Sequence, residues 1–296
     1  MTSLIITILV MIFVAYLILG ICLYFMQPRL VFDPVRDLPY TPAELGLDYE
    51  DVFFRAGDRV RLHGWFVEAP VSPQGGPVSP NGSADSQFTV LFCHTNGGNM
   101  MFQLDTINVF YNLGISTFIF DYRGYGISQG KPTEHGTYLD ARSAYRWLTK
   151  KKGVPPEKII IMGRSLGGSL AAYLASKVKA RGLVLESTFT SIPEIGRKFY
   201  PYMPVKWFVR YKYPTIDYIK KVSCPVMIIH SRNDEVIPFE FGQALFDAAS
   251  EPKQFVEIFG GHNDGFLICA DTYKKSWLKF ISSLKEESGG HSAIIS

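Results

Sequence analysis

A serine flanked by glycines stands where an apolar run changes into an alanine-rich segment. The run KIIIMG is followed by Arg164, Ser165, Leu166 and then by GGSLAAYLASKVKA. The short apolar run predicts a buried strand, and the alanine-rich segment predicts a helix that begins directly after the serine. Glycine at 163 and 167 lets a strand and a helix pass close to each other. The sequence therefore predicts a sharp turn that exposes the Ser165 hydroxyl beside a helix N-terminus.

Apolar runs and helical segments alternate along most of the chain. EDVFFRA and RVRLHGWFVEA predict a hairpin, and further strands are predicted in FTVLFC, ISTFIFD, KIIIMG, RGLVLES, PVMIIHS and QFVEIF. Helices are predicted near 101–113, 134–151 and 240–249, after Ser165, and in a last segment that ends near 284. This order indicates an α/β fold with a mostly parallel sheet covered by helices on both faces.

The first part of the chain is strongly apolar. Residues 4–26 read LIITILVMIFVAYLILGICLYFM and include no charged residue. As a helix this run spans about 34 Å, which is enough to cross a hydrocarbon core of about 30 Å. A basic start, a shorter apolar run and a small-x-small site would indicate a cleaved signal peptide, and none is evident. We expect a retained single-pass membrane anchor, and Arg29 and Arg36 after it favour a cytoplasmic domain.

Composition divides the chain into segments. We predict a transmembrane anchor at 1–28, a proline-rich leader at 29–50, one α/β domain at 51–285 and a disordered tail at 286–296. Within the domain, 69–87 is predicted to be a flexible loop insertion, because proline, glycine, serine and asparagine bury little apolar surface. Residues 189–214 are predicted to form a short lid.

Charge and cysteine content exclude several kinds of function. The net charge of +3 comes from scattered basic residues, which gives no reason to expect a nucleic acid as partner. The cysteines at 22, 93, 224 and 269 show neither a disulfide framework nor a zinc-binding spacing. We therefore expect no metal and no other cofactor.

Several polar residues follow predicted strands of the sheet. Ser165 follows KIIIMG, Asp234 follows PVMIIHS, and His262 follows QFVEIF, while the loop HTNGGN follows FTVLFC. Ligands of such sheets bind at the carboxyl ends of the strands. A serine becomes a nucleophile when a base removes its proton and an acid orients that base. We interpret Ser165 as the nucleophile, His262 as the base and Asp234 as the orienting acid.

At these residues the sequence resembles the alpha/beta hydrolase superfamily, from about residue 51 to about residue 284. The motifs LFCHTNGGN, DYRGYGISQG, GRSLGG, HSRNDEVIP and GGHND carry the resemblance, in the chain order Ser, Asp, His. Together with the predicted anchor, they are most similar to the membrane-anchored serine hydrolases of the Bem46-like group, which includes protein depalmitoylases and lysophospholipases. In one departure, Thr95 stands where the family usually has glycine, which predicts a differently shaped loop.

The resemblance implies an alpha/beta hydrolase fold and a specific chemistry. We expect a serine hydrolase that cleaves carboxylic esters or thioesters through an acyl-enzyme, with small-molecule, lipid or acyl-protein substrates and the bilayer as a partner. The backbone amides of Leu166 and, by resemblance, of Asn96 are expected to bind the oxyanion of the tetrahedral intermediate.

Each of these assignments has an alternative. Ser165 could be a small residue in a tight turn, Asp234 a cap of the following helix, and His262 a surface histidine. Glu186 is the nearest rival as orienting acid, although a structural role suits it better, and Asp264 lies too close to His262 along the chain. At the level of function, the alternatives are a peptidase of the prolyl-oligopeptidase type and a catalytically silent scaffold.

The remaining histidines and the lid also have structural interpretations. His63, His135 and His230 are expected to be structural, and His94 is expected to shape the oxyanion loop from behind. The predicted lid is rich in basic and aromatic residues, which either pack over the site or rest at the bilayer interface beside the anchor. The residues considered for the interface are Arg197, Lys198, Lys206, Trp207 and Arg210.

Overall fold

The computed structural model describes residues 2–70, 88–203 and 205–289. The predicted insertion therefore lies outside the described residues except for Ala69 and Pro70, and residues 290–296 of the predicted tail lie outside as well. The side chains of Lys206 and Trp207, two of the residues considered for the interface, are also outside the described part.

An eight-stranded sheet forms the centre of the domain, in the order β10-β9-β8-β7-β4-β6-β3-β2. The pairs from β10 to β6 are parallel, whereas β3 is antiparallel to both β6 and β2. The predicted mostly parallel sheet is thereby confirmed. The strands are β1 Asp33–Pro34, β2 Tyr49–Arg55, β3 Arg61–Val67, β4 Thr89–Cys93, β5 Gly97–Gly98, β6 Ser116–Asp121, β7 Ile159–Arg164, β8 Gly182–Glu186, β9 Val226–Ser231 and β10 Lys253–Ile258.

Helices connect the strands and cover both faces of the sheet, as the alternating pattern predicts. The predicted helix near 101–113 begins as a short 3-10 turn at Met100–Gln103, and the last helix continues to Gly289, into the segment predicted as a tail. The α-helices are α1 Thr2–Val31, α2 Leu104–Asn112, α3 Glu134–Lys150, α4 Leu166–Ala175, α5 Ile192–Phe199, α6 Val205–Phe208, α7 Thr215–Ile219, α8 Phe239–Ala248, α9 Gly265–Ile268 and α10 Ala270–Gly289.

The central strands contribute alternate residues to two separate cores. Leu91 of β4 belongs to one core, whereas its neighbours Val90 and Phe92 belong to the other. Helices α3, α4, α7 and α8 pack on the Leu91 side, and α2 and α10 pack on the opposite side. Because both faces are covered, the strands are continuous apolar runs, which made them recognisable in the sequence.

Helix α1 is long and apolar enough to cross a membrane by length and composition. Its thirty residues correspond to about 45 Å. Most of its side chains are exposed, but Gly20 and Val31 are buried against the domain. Within the described part of the chain, the N-terminal part of α1 is largely uncovered, while its C-terminal part packs on the α/β domain.

The leader after α1 contains a short strand. Its strand β1 pairs in parallel with β5, where Asp33 lies opposite Gly97 and Pro34 opposite Gly98. A pairing of two residues has no periodicity that the sequence could display. The pairing joins the leader to the HTNGGN loop after β4, which is one of the predicted parts of the site.

Candidate active site

Ser165 occupies a sharp turn between β7 and α4. Its φ of 55° and ψ of −122° are unusual for a residue with a side chain, and such conformations cost on the order of 1–3 kcal/mol. The Ser165 amide donates to the carbonyl of Glu186 at 3.0 Å, and the Thr188 hydroxyl donates to the Ser165 carbonyl at 2.6 Å. A Cβ atom at Gly167 would collide with the carbonyl of Cys93. Strand β4 and helix α4 thus pass too close to each other for any residue but glycine at position 167.

The structure brings Ser165, His262 and Asp234 together at the carboxyl ends of the strands. His262 Nε2 lies 3.1 Å from Ser165 Oγ, and His262 Nδ1 lies 2.8 Å from Asp234 Oδ2. The three residues are only 4%, 7% and 8% exposed, in the order Ser165, His262, Asp234. The side chains therefore form one continuous hydrogen-bonded chain, largely shielded from water. The turn at Ser165 is present, but its hydroxyl is less exposed than the sequence predicts, because neighbouring elements cover it.

The charge of Asp234 determines where the proton lies in its hydrogen bond with His262. Burial raises the pKa of the Asp234 carboxyl, but hydrogen bonds from His262 and from the Ile237 amide outweigh it, so that the pKa is lowered overall. An ionised carboxylate can only accept hydrogen bonds, so His262 Nδ1 carries a proton and donates it. With the proton on Nδ1, Nε2 is the ring nitrogen that faces the Ser165 hydroxyl and can accept its proton.

Asp234 does not cap the helix α8, whose first residue follows Pro238 without a side-chain cap, but it binds two backbone amides in the loop before it. Its Oδ1 accepts hydrogen bonds from the amides of Val236 at 2.9 Å and Ile237 at 2.7 Å, while Oδ2 faces His262. The backbone bonds close the turn before α8 and at the same time fix the orientation of the carboxylate. His230 lies behind it and binds the Ile237 carbonyl at 2.8 Å. This histidine has the structural position that was expected.

The two rival carboxylates are engaged elsewhere. Glu186 Oε1 lies 2.9 Å from Arg164 Nε, and its Oε2 accepts the Tyr273 hydroxyl at 2.9 Å. Asp264 Oδ1 accepts the amide of Gly261 at 2.6 Å and closes the turn that carries His262. Neither residue makes the contact with His262 that Asp234 makes.

The HTNGGN loop after β4 faces Ser165. Asn96 and Leu166 line the same cleft as Ser165. Leu166 is the first residue of α4, and amides in the first turn of a helix have no intrahelical acceptor. The Asn96 carbonyl is held from behind by the Tyr125 hydroxyl at 2.7 Å and by the Asp33 amide at 3.2 Å. Both predicted oxyanion residues thus lie beside the serine, and the leader braces one of them.

Thr95 fits this loop without the glycine-specific conformation. It is not among the described non-glycine residues with positive φ, and its hydroxyl donates to the Gly97 carbonyl at 3.0 Å. The positive φ of the loop, +83°, falls on Gly98. His94 is fully buried and stacks on Tyr122 with ring centroids 4.2 Å apart, behind the loop as expected.

A largely apolar cleft of about 330 Å³ leads to Ser165. One wall comes from α5, α6 and the residues that join them, within the segment predicted as a lid. The other wall comes from the C-terminal half of α1, through Gly20, Leu23, Gln27, Leu30 and Val31. A cleft of this size and lining suits an apolar ligand group that reaches the serine.

Sequence reasoning missed two sets of residues at the site. Glu235 Oε2 accepts the backbone amide of His262 at 3.0 Å and fixes the loop of this histidine. Its only signal was its place directly after Asp234 in the SRNDE motif. The α1 residues of the cleft were also missed, and the polar Gln27 at the end of the apolar run was the available signal. Among the described residues, no group of three or more His, Cys, Asp or Glu could hold a metal ion.

Comparisons with known proteins agree with this fold. Residues 89–206 match the family model described as alpha/beta hydrolase fold. The chain is 33% identical to alpha/beta hydrolase domain-containing protein WAV2 of Arabidopsis thaliana, over 88% of this chain and 89% of WAV2. It is 31% identical to protein bem46 of Schizosaccharomyces pombe, over 86% of this chain and 78% of bem46.

Among solved structures, the chain is similar to the Pyrococcus furiosus esterase Pf2001. The two superpose with a TM-score of 0.67 at 21% identity, over 85% of this chain and 98% of the esterase. At this sequence identity, the similarity shows a shared fold and nothing more.

Proposed function

The chain belongs to the alpha/beta hydrolase family, and from this premise we propose that it is a serine hydrolase that cleaves carboxylic esters or thioesters of acyl groups. The observation that carries the proposal is the 3.1 Å contact between His262 Nε2 and Ser165 Oγ at the end of an apolar cleft. A nucleophile, a base and an orienting acid are the groups that acyl transfer requires.

The first half of the reaction forms an acyl-enzyme. Ser165 Oγ attacks the carbonyl carbon of the ester or thioester while His262 Nε2 takes the hydroxyl proton. Asp234 stabilises the imidazolium that results, without taking the proton itself. The negative oxygen of the tetrahedral intermediate lies against the amides of Leu166 and Asn96. The intermediate collapses when His262 returns the proton to the departing alcohol or thiol, which leaves the acyl group on Ser165.

The second half of the reaction regenerates the serine. A water molecule gives its proton to His262 Nε2 and attacks the acyl carbon from the side that the leaving group vacated. The same amides bind the second oxyanion, and the proton then passes from His262 to Ser165 Oγ. The products are a carboxylic acid and the free enzyme.

The cleft favours an acyl substrate over a peptide. Most of its lining is aliphatic or aromatic, and the described polar side chains among its residues are those of Gln27, Asn96, Ser165 and Tyr200. A peptide needs partners for its backbone amides and carbonyls, whereas an alkyl chain needs only apolar surface. We further propose that α1 is a retained membrane anchor, since it is apolar along its length and its C-terminal part docks on the domain.

The proposal is tested with a fluorophosphonate probe and a panel of p-nitrophenyl esters, acyl thioesters and peptide amides. Wild type should be labelled at Ser165 and hydrolyse esters or thioesters. Ser165→Ala should lower turnover by about a millionfold, as removal of a nucleophile does elsewhere. Ser169→Ala is the matched control, because Ser169 lies one turn further along α4 and its buried hydroxyl has no partner among the described residues.

Three results would count against the proposal. A folded wild type without a Ser165 adduct would favour a silent scaffold. Faster cleavage of peptide amides than of esters would favour a peptidase. Equal losses in the Ser165 and Ser169 variants would mean that the hydroxyl of Ser165 has no special role.

A further inference from the structure

We propose that α1 is one wall of an acyl-binding channel, so that an acyl chain enters from the bilayer and reaches Ser165 between α1 and the helices α5 and α6. This inference rests on the proposed function, and it adds the kind of substrate and its path. The substrate is an ester or thioester whose alkyl chain resides in the membrane.

One face of α1 lines the cleft that contains Ser165. Leu23, Gln27 and Leu30 lie three or four residues apart, which places them on the same side of a helix. Across the cleft, Met203 and Phe208 form part of the opposite wall. A Cβ atom on the buried Gly20 would lie 3.9 Å from both of these side chains. The anchor and the segment over the site therefore enclose the cleft together.

Hydrogen bonds hold the two walls in this arrangement. Gln27 Nε2 donates to the Phe208 carbonyl at 2.8 Å, and Gln27 Oε1 accepts the Arg210 amide at 2.7 Å. The Arg210 guanidinium also lies over the Tyr24 ring, 5.2 Å from its centroid. Gln27 is half-buried, and an amide withdrawn from water loses free energy when it has no partners, so its two hydrogen bonds favour the docked position of α1.

A second contact places the open end of the channel at membrane depth. Tyr16 of α1 donates its hydroxyl to the carbonyl of Tyr202 at 2.7 Å. Tyr16 lies about 16 Å before Gln27 along the helix axis, well inside the apolar part of α1. Tyr202 is 91% exposed, and the nearby Phe199 is 52% exposed. Exposed aromatic side chains beside an apolar helix are typical of a surface that contacts the bilayer.

This geometry explains why the channel suits a chain from the bilayer. An alkyl chain that moves from lipid into an apolar channel exchanges one apolar environment for another. The free energy of this transfer is therefore small, and it adds little to the cost of substrate binding. The carbonyl carbon then stops at Ser165, where the channel ends, and the leaving group lies on the other side.

The experiment uses the full-length protein reconstituted into phosphatidylcholine vesicles, with p-nitrophenyl butyrate and p-nitrophenyl palmitate as substrates. The measured quantity is the ratio of kcat/KM for palmitate to that for butyrate. Leu23→Trp puts a larger side chain into the channel and should lower this ratio about tenfold or more. Ile18→Trp makes the same kind of change at an exposed position on the opposite side of α1 and should leave the ratio unchanged.

The outcomes separate this inference from the proposed function. Equal ratios in wild type, Leu23→Trp and Ile18→Trp, with hydrolysis still dependent on Ser165, would overturn the channel and leave the hydrolase intact. No hydrolysis of either ester, or of the matching butyryl and palmitoyl thioesters, by folded and unlabelled wild type would instead refute the proposed function. If Leu23→Trp loses fluorophosphonate labelling through misfolding, Met203→Trp narrows the channel from the other wall, and an unchanged ratio in that variant would equally overturn it.

Discussion

Asp234 Oδ2 lies 2.8 Å from His262 Nδ1, although the two residues come from different loops at the carboxyl edge of the sheet. The other carboxylate oxygen is occupied by two backbone amides, so the side chain has one orientation available. A fixed and ionised carboxylate selects the tautomer in which His262 Nε2 accepts a proton from Ser165.

Replacing Asp234 by asparagine should nearly abolish turnover without unfolding the protein. An asparagine amide at this position donates to Nδ1 and favours the wrong tautomer, which elsewhere lowers kcat about ten-thousandfold. The measurement is kcat for a short p-nitrophenyl ester. Asp264→Asn is the matched control on the His262 loop, because its amide oxygen still accepts the Gly261 amide. A larger loss of kcat in Asp264→Asn than in Asp234→Asn would show that Asp264, and not Asp234, orients His262.

Tyr125→Phe should lower kcat about twofold to tenfold, the effect of one lost hydrogen bond of about 1 kcal/mol. The lost bond is the one from the Tyr125 hydroxyl to the Asn96 carbonyl, so the loop that carries the Asn96 amide becomes less well positioned. Because the amide acts on the transition state, KM should change little. Tyr145→Phe removes a hydroxyl bond to the Lys179 carbonyl far from the site and serves as control. A rise in KM at constant kcat would contradict this interpretation.

Gln27→Leu should loosen the contact between α1 and the segment over the cleft. The change removes both hydrogen bonds of the side chain while it keeps a similar volume. Hydrogen exchange at the Arg210 amide should accelerate about fivefold to tenfold, as expected for the loss of about 1–1.5 kcal/mol. Met26→Leu, an exposed neighbour on α1, should not alter the exchange rate. The same exchange rate at Arg210 in both variants would show that Gln27 does not hold the contact.

His230 should make the stability of the protein depend on pH below neutrality. Burial lowers the pKa of His230 from its ordinary 6.5, because the charged ring would lose its hydration, and the nearby Asp234 carboxylate only partly opposes this effect. As the pH falls below 6.5, the unfolded chain binds a proton at this residue that the folded protein does not. The free energy of unfolding should therefore decrease by up to about 1.4 kcal/mol per pH unit until the folded pKa is reached.

The test of this linkage compares denaturant midpoints of wild type and His230→Gln from about pH 7 down to about pH 5. Glutamine takes up no proton, so the decline should be shallower in this variant. His135→Gln changes an exposed histidine at the start of α3 and should decline like wild type. An equal slope in wild type and His230→Gln would contradict the assignment.

Much of the fold could be predicted from sequence because its signals are local. Strands such as β4 and β7 are buried on both faces, so each is a continuous apolar run. The Ser165 turn was recognisable because close packing allows only glycine at 167. Element ends were less accurate, as the 3-10 turn before α2 and the extension of α10 to Gly289 show. Helix ends depend on capping contacts that leave weak sequence signals.

The main residues of the candidate site could be predicted because a parallel sheet brings the residues after its strands to one edge. Carboxyl ends of parallel strands meet at one edge, so polar residues after β7, β9 and β10 were expected to converge. Convergence alone left Glu186 and Asp264 as rivals for the acid, and only the contacts of each carboxylate distinguish them from Asp234. The contact of Glu235 could not be predicted, because its partner is the backbone amide of His262, and a backbone amide has no sequence signature.

The sequence by itself determined the α/β architecture, the turn at Ser165 and the apolar character of α1, since each depends on residues close together along the chain. Only the tertiary structure decided that β1 braces the HTNGGN loop and that Gln27 joins α1 to the segment over the cleft. These contacts pair residues far apart in the chain, such as Gln27 with Phe208 and Arg210, and each depends on shape and distance at a single place. Such pairings leave no periodic pattern, so they become visible only when the chain is folded.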